Sequence, residues 1–491
     1  MTRKETGILV ALLLAHAALL AIFVSFRVLD PDEGFYLNAT RMVGLGKSLY
    51  TDFFYTQMPL MPAVFGKLAT NGWTSFWLLR GLAATAGFVS VLFLFGIVRH
   101  LTKNNVTTLV AVGLYCFSGL VLTWHSEYKP LPFAQMLALG TFYFWMLYHN
   151  KRRLTWLILS GIFLSLAINL RAVYIVLLPL FASSILVISK YKLKSGLIFF
   201  LSLIPGAVPT LMYIFRDFDR FFYDTFVFQL HRADSGELGY IISNKLQLVL
   251  KTIADPHLLF VFTLAGISVW LMVKKGKLTK FKDFLTAPEG MAVGVLALIA
   301  FIYFVPNPIL RQYVEQFFVF AIIVGSVHYK TIWEAVGKIV KVHYRNLAAG
   351  AVVAIYCLSI IPYIGVFLLD YRGGKFMYRL SEAKKITGKM LEYAQSTDTV
   401  LAEWAGYPFL TGQTPLPYTE LLGFQYPLPL DHDGYMHYKL ADYEYLKEEV
   451  TKKVPRLVVT VNRVPAAYAE VLKSGYNSTY TSGNIAIHTR R

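Results

Sequence analysis

The sequence predicts an all-α polytopic membrane protein, with about eleven transmembrane helices followed by a small α/β domain on the exterior side. Three observations predict this class. Hydrophobic residues make up 56% and charged residues 15% of the 491 positions, and the mean hydropathy is +0.51, which is too apolar for a soluble protein of this size. Apolar runs long enough to cross a bilayer recur through residues 1–369. Residues 370–491 lack such runs and are predicted to form the separate soluble domain.

The apolar runs predict eleven spans. The first follows a Thr-Arg-Lys start and resembles a signal peptide, but its length of about 20 residues is enough to span a bilayer. We therefore predict that it is retained as the first helix. The runs lie at residues 7–27, 76–98, 105–123, 131–148, 154–170, 172–189, 195–215, 257–273, 290–305, 312–328 and 347–369.

Charge is distributed unevenly along the chain. The net charge is +18, but residues 370–491 carry 15 basic and 13 acidic side chains, so the excess lies in the membrane portion. One alternating set of connectors holds 19 Lys and Arg in short loops, and the opposite set holds 11 in longer ones. The positive-inside rule then places the N-terminus in the cytoplasm and the C-terminal domain outside a plasma membrane. This explanation of the charge argues against nucleic acid as a partner.

The C-terminal segment reads as a mixed α/β unit. Both cysteines, Cys116 and Cys357, lie in apolar runs, so this unit must fold without a disulfide. We expect no metal ion or other cofactor, and His231, His432 and His437 read as isolated surface or packing residues. Strands are predicted at residues 399–403, 457–461 and 485–488, and helices at 443–453 and 466–473.

The first exterior loop, residues 28–75, carries the most unusual polar pattern. The stretch Asp30-Pro31-Asp32-Glu33-Gly34-Phe35-Tyr36 places three carboxylates directly after the first span. On its own this pattern fits a solvated loop in which Asp32 or Glu33 caps the following helix. Two amphipathic stretches, 36–44 and 59–67, are suited to lying on the membrane surface.

A second segment of the same loop changes this interpretation. Residues 48–60 read Ser-Leu-Tyr-Thr-Asp-Phe-Phe-Tyr-Thr-Gln-Met-Pro-Leu. An Asp-Glu-x-x-Tyr pattern followed by Tyr-x-Asp, aromatic residues and Met-Pro-Leu resembles the first exterior loop of family 39-like glycosyltransferases. These include the protein O-mannosyltransferases and the lipid A aminoarabinose transferases, and they share the GT-C membrane fold. The likeness extends to residues 165–179 and 306–325.

The resemblance implies transfer of a sugar from a polyprenyl-phosphate donor to a hydroxyl group, with inversion, on the exterior face. A phosphate leaving group needs no general acid, so one carboxylate acting as base suffices. By resemblance that base is Asp32, with Glu33 orienting it or binding sugar; Asp30 is a second candidate. Asp52 holds the fold of the loop or contacts sugar. The acceptor, whether lipid, glycan or protein, is left open.

Binding of the donor phosphate is where this chain departs from the resemblance. Aminoarabinose transferases carry a phosphate-contacting lysine where this chain has Met58. Arg171, Lys129 and Arg311 are the cations that can replace it, each with a snorkelling role at the lipid interface as its alternative. Glu127 matches an acidic residue that the family places near the donor sugar, or else belongs to a polar turn. Tyr36, Tyr55, Gln57 and Tyr313 complete the predicted substrate-binding set.

Two other functions fit the predicted topology. A transporter or flippase of a lipid-linked glycan is the first, but such proteins place substrate groups at the bilayer midplane, often within repeated halves. Here the midplane is almost uncharged and no internal repeat is visible. A structural or signalling protein with an exterior sensor domain is the second, and it leaves the carboxylates of the first loop unexplained.

Overall fold

A computed structural model describes residues 1–233, 238–305, 309–339, 342–371, 373, 378–420, 428–461 and 466–491. The membrane portion is helical throughout. Its helices are α1 Arg3–Phe26, α2 Pro31–Gly44, α3 Leu60–Phe65, α4 Gly72–Thr102, α5 Asn105–Cys116, α6 Gly119–Trp124, α7 Pro130–Lys151, α8 Leu154–Leu170, α9 Leu177–Ile188, α10 Lys192–Leu201, α11 Ile204–Arg216, α12 Phe218–Phe222, α13 Phe228–Ala233, α14 Leu238–Ile253, α15 Pro256–Lys274, α16 Phe281–Thr286, α17 Pro288–Phe304, α18 Gln312–Val327, α19 Tyr329–Ile339, α20 Val342–Leu358 and α21 Ile361–Tyr363. Short 3₁₀ turns cover Gly66–Leu68 and Ala172–Val176, and π-helical turns cover Tyr223–Val227 and Ile364–Leu368.

Each of the eleven predicted apolar runs coincides with one of these helices or with a broken pair. By length and composition, four helices of the described chain are able to span a membrane: α1, α4, α15 and 346–368. The number rises to six if the bent pairs α10 with α11 and α18 with α19 each count as one span. Shorter apolar helices include α5, α8 and α17. The apolar runs are therefore confirmed as helices, while the total of eleven spans stays a prediction.

The helix bundle is organised around α18. This helix is apolar on most of its surface and is buried along almost its whole length, between α15, α17 and α4, as expected for a helix that is hydrophobic all round. The pair α7 and α8 packs beside α4. The start of α18 and the end of α6 thereby reach the same end of the bundle.

Helix α2 begins with its carboxylates for a local reason. Asp30 is the N-cap and its side chain accepts a hydrogen bond from Asp32 N at 2.9 Å, while Pro31 occupies the first helical position. The cap is thus Asp30 rather than Asp32 or Glu33. Acidic residues in the first turn also favour the positive end of the helix dipole. Although a surface position was expected for residues 36–44, nearly all of α2 is buried beneath the C-terminal domain.

The C-terminal domain is a mixed sheet flanked by helices. The strand order in the sheet is β2-β1-β3-β5-β4. Strands β2, β1 and β3 run parallel to one another, and β5 runs antiparallel to both of its neighbours, β3 and β4. The predicted strands at β1, β3 and β5 and the predicted helices α25 and α26 are present, whereas β2 is very short and β4 is a polar edge strand without an apolar face. The elements are α22 Leu380–Tyr393, β1 Thr399–Ala402, α23 Gly406–Thr411, β2 Thr414–Pro415, α24 His432–His437, α25 Tyr443–Thr451, β3 Leu457–Val461, α26 Ala466–Gly475, β4 Tyr476–Ser482 and β5 Ile485–Arg490.

The C-terminal domain packs onto two loops of the membrane portion, residues 28–75 and the segment 216–233. Helix α23 lies on α2, and the Arg41 guanidinium donates to the carbonyl oxygens of Gly412 and Gln413. On the other side Tyr223 stacks on Tyr438 with ring centroids 3.6 Å apart. The two loops are consequently held together by the domain that follows them in sequence.

Candidate active site

Five charged side chains meet where α1 ends. Arg27 and Asp30 come from the turn between α1 and α2, and Asp32 comes from the first turn of α2. Glu127 and Lys129 come from the connector between α6 and α7. Arg27 Nη1 lies 2.5 Å from Glu127 Oε2. Lys129 Nζ lies 2.8 Å from Asp30 Oδ1, 3.3 Å from Asp32 Oδ2 and 3.4 Å from Glu127 Oε1. We call these five residues the carboxylate cluster.

Exposure separates the members of the cluster. The side chains of Arg27 and Glu127 are fully buried and that of Lys129 is 3% exposed, whereas that of Asp32 is 31% exposed. Asp30 is intermediate, at 11%. Asp32 is therefore the carboxylate of the cluster that a substrate reaches most readily.

Burial and neighbouring charges have opposite effects on the pKa values of Glu127 and Lys129, which lie in the connector between α6 and α7. Burial raises the pKa of the Glu127 carboxyl to about 7, although Arg27 and Lys129 partly oppose the rise. For Lys129, burial disfavours the ammonium form, but Asp30, Glu127 and Asp32 outweigh it and raise its pKa well above the ordinary value. Lys129 is thus a fixed positive charge beside Asp32, while Glu127 changes charge near neutral pH.

Glu33 points away from this exposed face. Both of its oxygens are held by Arg80 of α4, through Nε at 2.7 Å and Nη2 at 2.6 Å, and Oε1 also accepts from Tyr128 N at 3.0 Å. Neither side chain of the pair is exposed. The oxygens of Glu33 contact Arg80 and the Tyr128 backbone, and neither faces open space where it could bind sugar.

Aromatic and amide groups complete the surroundings of Lys129. Its Nζ lies 3.1 Å from Gln312 Oε1 at the start of α18 and 5.2 Å from the centre of the Trp124 ring. Arg27 lies over the same ring at 5.3 Å. Both cations therefore lie within the distance at which one indole attracts them by a cation–π interaction.

Arg171 packs against two tyrosine rings. Its guanidinium faces the rings of Tyr303 and Tyr313 at 5.6 and 5.8 Å. Burial raises the pKa of the Tyr36 phenol, and the charges of Arg171, Asp32 and Lys129 all act on it, so Tyr36 is within electrostatic range of Arg171 and of the cluster. Over the described chain, no carboxylate lies within 4.0 Å of Arg171. It is a cation without an acidic partner there.

Arg311 contrasts with Arg171. Its Nη2 contacts Asp255 Oδ2 and lies 2.7 Å from the Tyr363 hydroxyl oxygen, and its guanidinium stacks over the Tyr363 ring at 4.9 Å. Asp255 is also 2.5 Å from His257 Nδ1. The positive charge of Arg311 is therefore paired with Asp255 within the protein. The resemblance over residues 306–325 begins at 306–308, which lie outside the described residues.

The remaining first-loop residues mainly hold the loop together. Asp52 is exposed, and its Oδ2 accepts from Ser48 N at 2.7 Å, which closes a turn. The carbonyl oxygen of Gln57 accepts from the Tyr50 hydroxyl at 2.7 Å. Tyr55 is buried, and its backbone N–H donates to Asp224 Oδ2 at 3.1 Å. Met58 is buried and offers no charge to a phosphate.

Sequence reasoning missed several residues that build this region. Arg27 ends the first predicted span and Arg80 lies inside the second, so both are charged residues in apolar runs, a signal that by default marks a functional position. His125 Nε2 lies 2.6 Å from Glu315 Oε1 in a buried polar contact within the bundle. Nothing in the local sequence indicates this pair, because its members are 190 positions apart.

One group of residues in the described chain has a spacing that suits a metal ion. Ligand atoms of His432, Asp442 and Glu444 lie within 4.8 Å of one another in the C-terminal domain. His432 Nδ1 is 2.7 Å from Asp442 Oδ2, and this hydrogen bond raises the pKa of the imidazole. The residues are already paired at a partly exposed surface, so they have an explanation that requires no ion.

Comparison with known proteins identifies the class of fold. A family described as dolichyl-phosphate-mannose-protein mannosyltransferase matches residues 59–213. ArnT from Cupriavidus metallidurans in the apo state is similar over 99% of this chain and 98% of its own, with a TM-score of 0.67 and 14% identity. The same protein bound to undecaprenyl phosphate covers 98% and 97%, with a TM-score of 0.65 and 13% identity.

A third similar structure is the Archaeoglobus fulgidus oligosaccharyltransferase tethered to an acceptor peptide containing the NVT sequon. It covers 94% of this chain and 69% of its own, with a TM-score of 0.56 and 12% identity. No curated protein sequence matches the chain. The fold is therefore that of the GT-C membrane glycosyltransferases, and the chain is a multi-pass membrane protein. The family match begins after Arg27, Asp30 and Asp32 but includes Glu127 and Lys129.

Proposed function

We propose that this chain is an inverting glycosyltransferase that moves a sugar from a polyprenyl phosphate to a hydroxyl group at the exterior membrane face. The GT-C fold and the mannosyltransferase family match support the class of reaction. The similarity to ArnT, which was solved with undecaprenyl phosphate, supports the class of donor. The apolar helices provide the surroundings that a prenyl chain requires.

The observation that carries the proposal is the position of Asp32. It is the most exposed carboxylate among Asp30, Asp32 and Glu33, and it lies 3.3 Å from a buried ammonium group. Asp32 accepts the proton of the acceptor hydroxyl as that oxygen attacks C1 of the sugar, and the C1–O bond to phosphate breaks with its electron pair going to the phosphate.

The developing negative charge on the phosphate needs a cation in a low-dielectric site. Arg171 is the best candidate, because it has no carboxylate partner within 4.0 Å in the described part of the protein and lies within electrostatic range of Tyr36 in α2. Lys129 is engaged by three carboxylates and Arg311 by Asp255. A guanidinium can also donate two parallel hydrogen bonds to phosphate oxygens.

The test is a transfer assay in membranes with labelled polyprenyl-phosphate sugars, scored for product formation and anomeric configuration. We expect inversion, and loss of at least about 10²-fold in rate for Asp32→Asn, which keeps the shape but cannot take a proton. Asp30→Asn is the matched control, since asparagine caps a helix as well as aspartate does. Retention of configuration, or a larger loss with Asp30→Asn than with Asp32→Asn, would contradict the assignment.

A further inference from the structure

The turn that carries Asp32 is held from outside by the C-terminal domain. Trp404, between β1 and α23, is 4% exposed, and its indole Nε1 donates to Pro31 O at 3.2 Å. Leu29 N donates to Tyr378 O at 2.7 Å, and the Tyr378 ring meets the Trp404 ring edge-on at 5.9 Å. Two residues of the C-terminal segment thus contact the backbone on both sides of Asp30.

Close packing beside Asp32 confirms how tight this contact is. A β-carbon at Gly34 would lie 2.5 Å from Trp404 Nε1 and 2.7 Å from Gly406 N, both closer than real β-carbon contacts. Only glycine at position 34 allows the indole to approach the helix. The site is also within electrostatic reach of the domain, because burial and then the charges of Asp30 and Asp32 raise the pKa of the Tyr378 phenol.

We propose that Trp404 is a positioning residue for the transfer reaction, and that the docked C-terminal domain fixes Asp32 in its reactive orientation. The expected effect on the transfer rate rests on the proposed function, whereas the expected effect on the backbone around Asp32 does not. The Asp32 side chain is partly exposed and lies beside Lys129. The backbone that carries this side chain is held from within α2 by the Asp30 cap and from the C-terminal domain by the Trp404 hydrogen bond to Pro31, the first residue of α2.

The chain offers a matched control for the loss of one indole hydrogen bond. Trp73, at the start of α4, donates from Nε1 to Thr387 Oγ1 of α22 at 3.3 Å. This bond also joins the membrane portion to the C-terminal domain, but it lies on a different helix from Asp32. Trp73→Phe and Trp404→Phe therefore remove the same chemical group from the same interface.

A second perturbation reaches the same contact from the other side. Gly34→Ala leaves Trp404 in place but adds the methyl group that collides with the indole. Alanine is the better helix former by about 1 kcal/mol, so α2 on its own becomes more stable. Any loss of function in Gly34→Ala must then come from the disturbed contact with the domain.

Two measurements on the full-length protein test the proposal. We expect Trp404→Phe and Gly34→Ala to lower kcat at least fivefold with the KM for a labelled polyprenyl-phosphate sugar unchanged, whereas Trp73→Phe stays within twofold of wild type. In purified protein, amide hydrogen exchange at residues 32–38 should be faster in the first two variants and unchanged in the third.

The two arms separate the two hypotheses. If the wild-type protein transfers no sugar, the proposed function is wrong. Faster hydrogen exchange in Trp404→Phe but not in Trp73→Phe would still establish the contact between Trp404 and the Asp32 turn. Unchanged exchange in Trp404→Phe, or equal effects of Trp404→Phe and Trp73→Phe on kcat, would overturn the positioning role. A rise in KM alone would overturn it too, because it would assign Trp404 to donor binding.

Discussion

Replacement of Arg171 by methionine is the sharpest test of how the donor phosphate is held. The guanidinium faces two tyrosine rings at 5.6 and 5.8 Å and has no carboxylate partner within 4.0 Å in the described residues. Methionine therefore leaves no buried carboxylate unpaired. The loss of stability is limited to cation–π contacts worth about 0.5–1 kcal/mol each. The variant should insert and fold.

The expected kinetic loss is much larger than this structural one. A hydrogen bond to a charged group contributes about 1.5–3 kcal/mol, and these bonds strengthen as charge develops on the leaving phosphate. A loss of about 2 kcal/mol of transition-state stabilisation corresponds to roughly thirtyfold in kcat/KM. Arg171→Lys keeps the charge without the planar fork, so it should be partly active.

The assay combines transfer with binding. Transfer of label from a polyprenyl-phosphate sugar gives kcat/KM in membranes, and binding of undecaprenyl phosphate to purified protein gives an affinity that does not depend on the acceptor. Arg311→Met is the comparison, although it leaves Asp255 with only the His257 ring and the Tyr363 hydroxyl as its recorded side-chain contacts. If Arg171→Met inserts normally, transfers at the wild-type rate and binds undecaprenyl phosphate equally well, Arg171 is a snorkelling anchor.

Three further predictions concern topology, pH and stability. In a background without the native cysteines, Glu444→Cys should react with an impermeant reagent in intact cells and Lys277→Cys should not; the reverse result would invert the topology. The transfer rate should rise with pH through about 7, because burial raises the pKa of Glu127 to about 7 and only its ionised form completes the ion pairs with Arg27 and Lys129 that hold the cluster; Glu127→Gln should abolish this rise, and a retained rise would exclude Glu127 as its source. Glu33→Ala should lower the free energy of unfolding by about 3–5 kcal/mol, since it strands the buried Arg80 charge; a thermal unfolding curve like that of wild type would show that the pair contributes nothing.

Part of the site was accessible from the sequence. The run from Asp30 to Tyr36 marks the position after the first span, and all three of its carboxylates take part in the ion pairs that build the region. Lys129 and Glu127, predicted from the second exterior loop, lie in the same cluster. These residues were found because a group of charges at the end of an apolar run is itself a local signal.

The division of roles among those carboxylates was not accessible in this way. Glu33 and Asp32 are adjacent in sequence, yet one is sealed against Arg80 and the other is partly exposed. Arg80 is 47 positions from Glu33, and Trp404 is 373 positions from Pro31. No pattern within a window of a few turns contains these pairs.

The sequence by itself determined the membrane class, the positions of the apolar helices, the strands β1, β3 and β5 and the place of the first-loop carboxylates. Each of these follows from local composition, because transfer to lipid and strand or helix periodicity depend on residues close together in the chain. Only the tertiary structure decided that α2 is buried, that Asp32 is the exposed carboxylate and that the C-terminal domain holds its turn. Those features depend on which helices become neighbours, and a buried charge takes its role from the partner that packing brings to it.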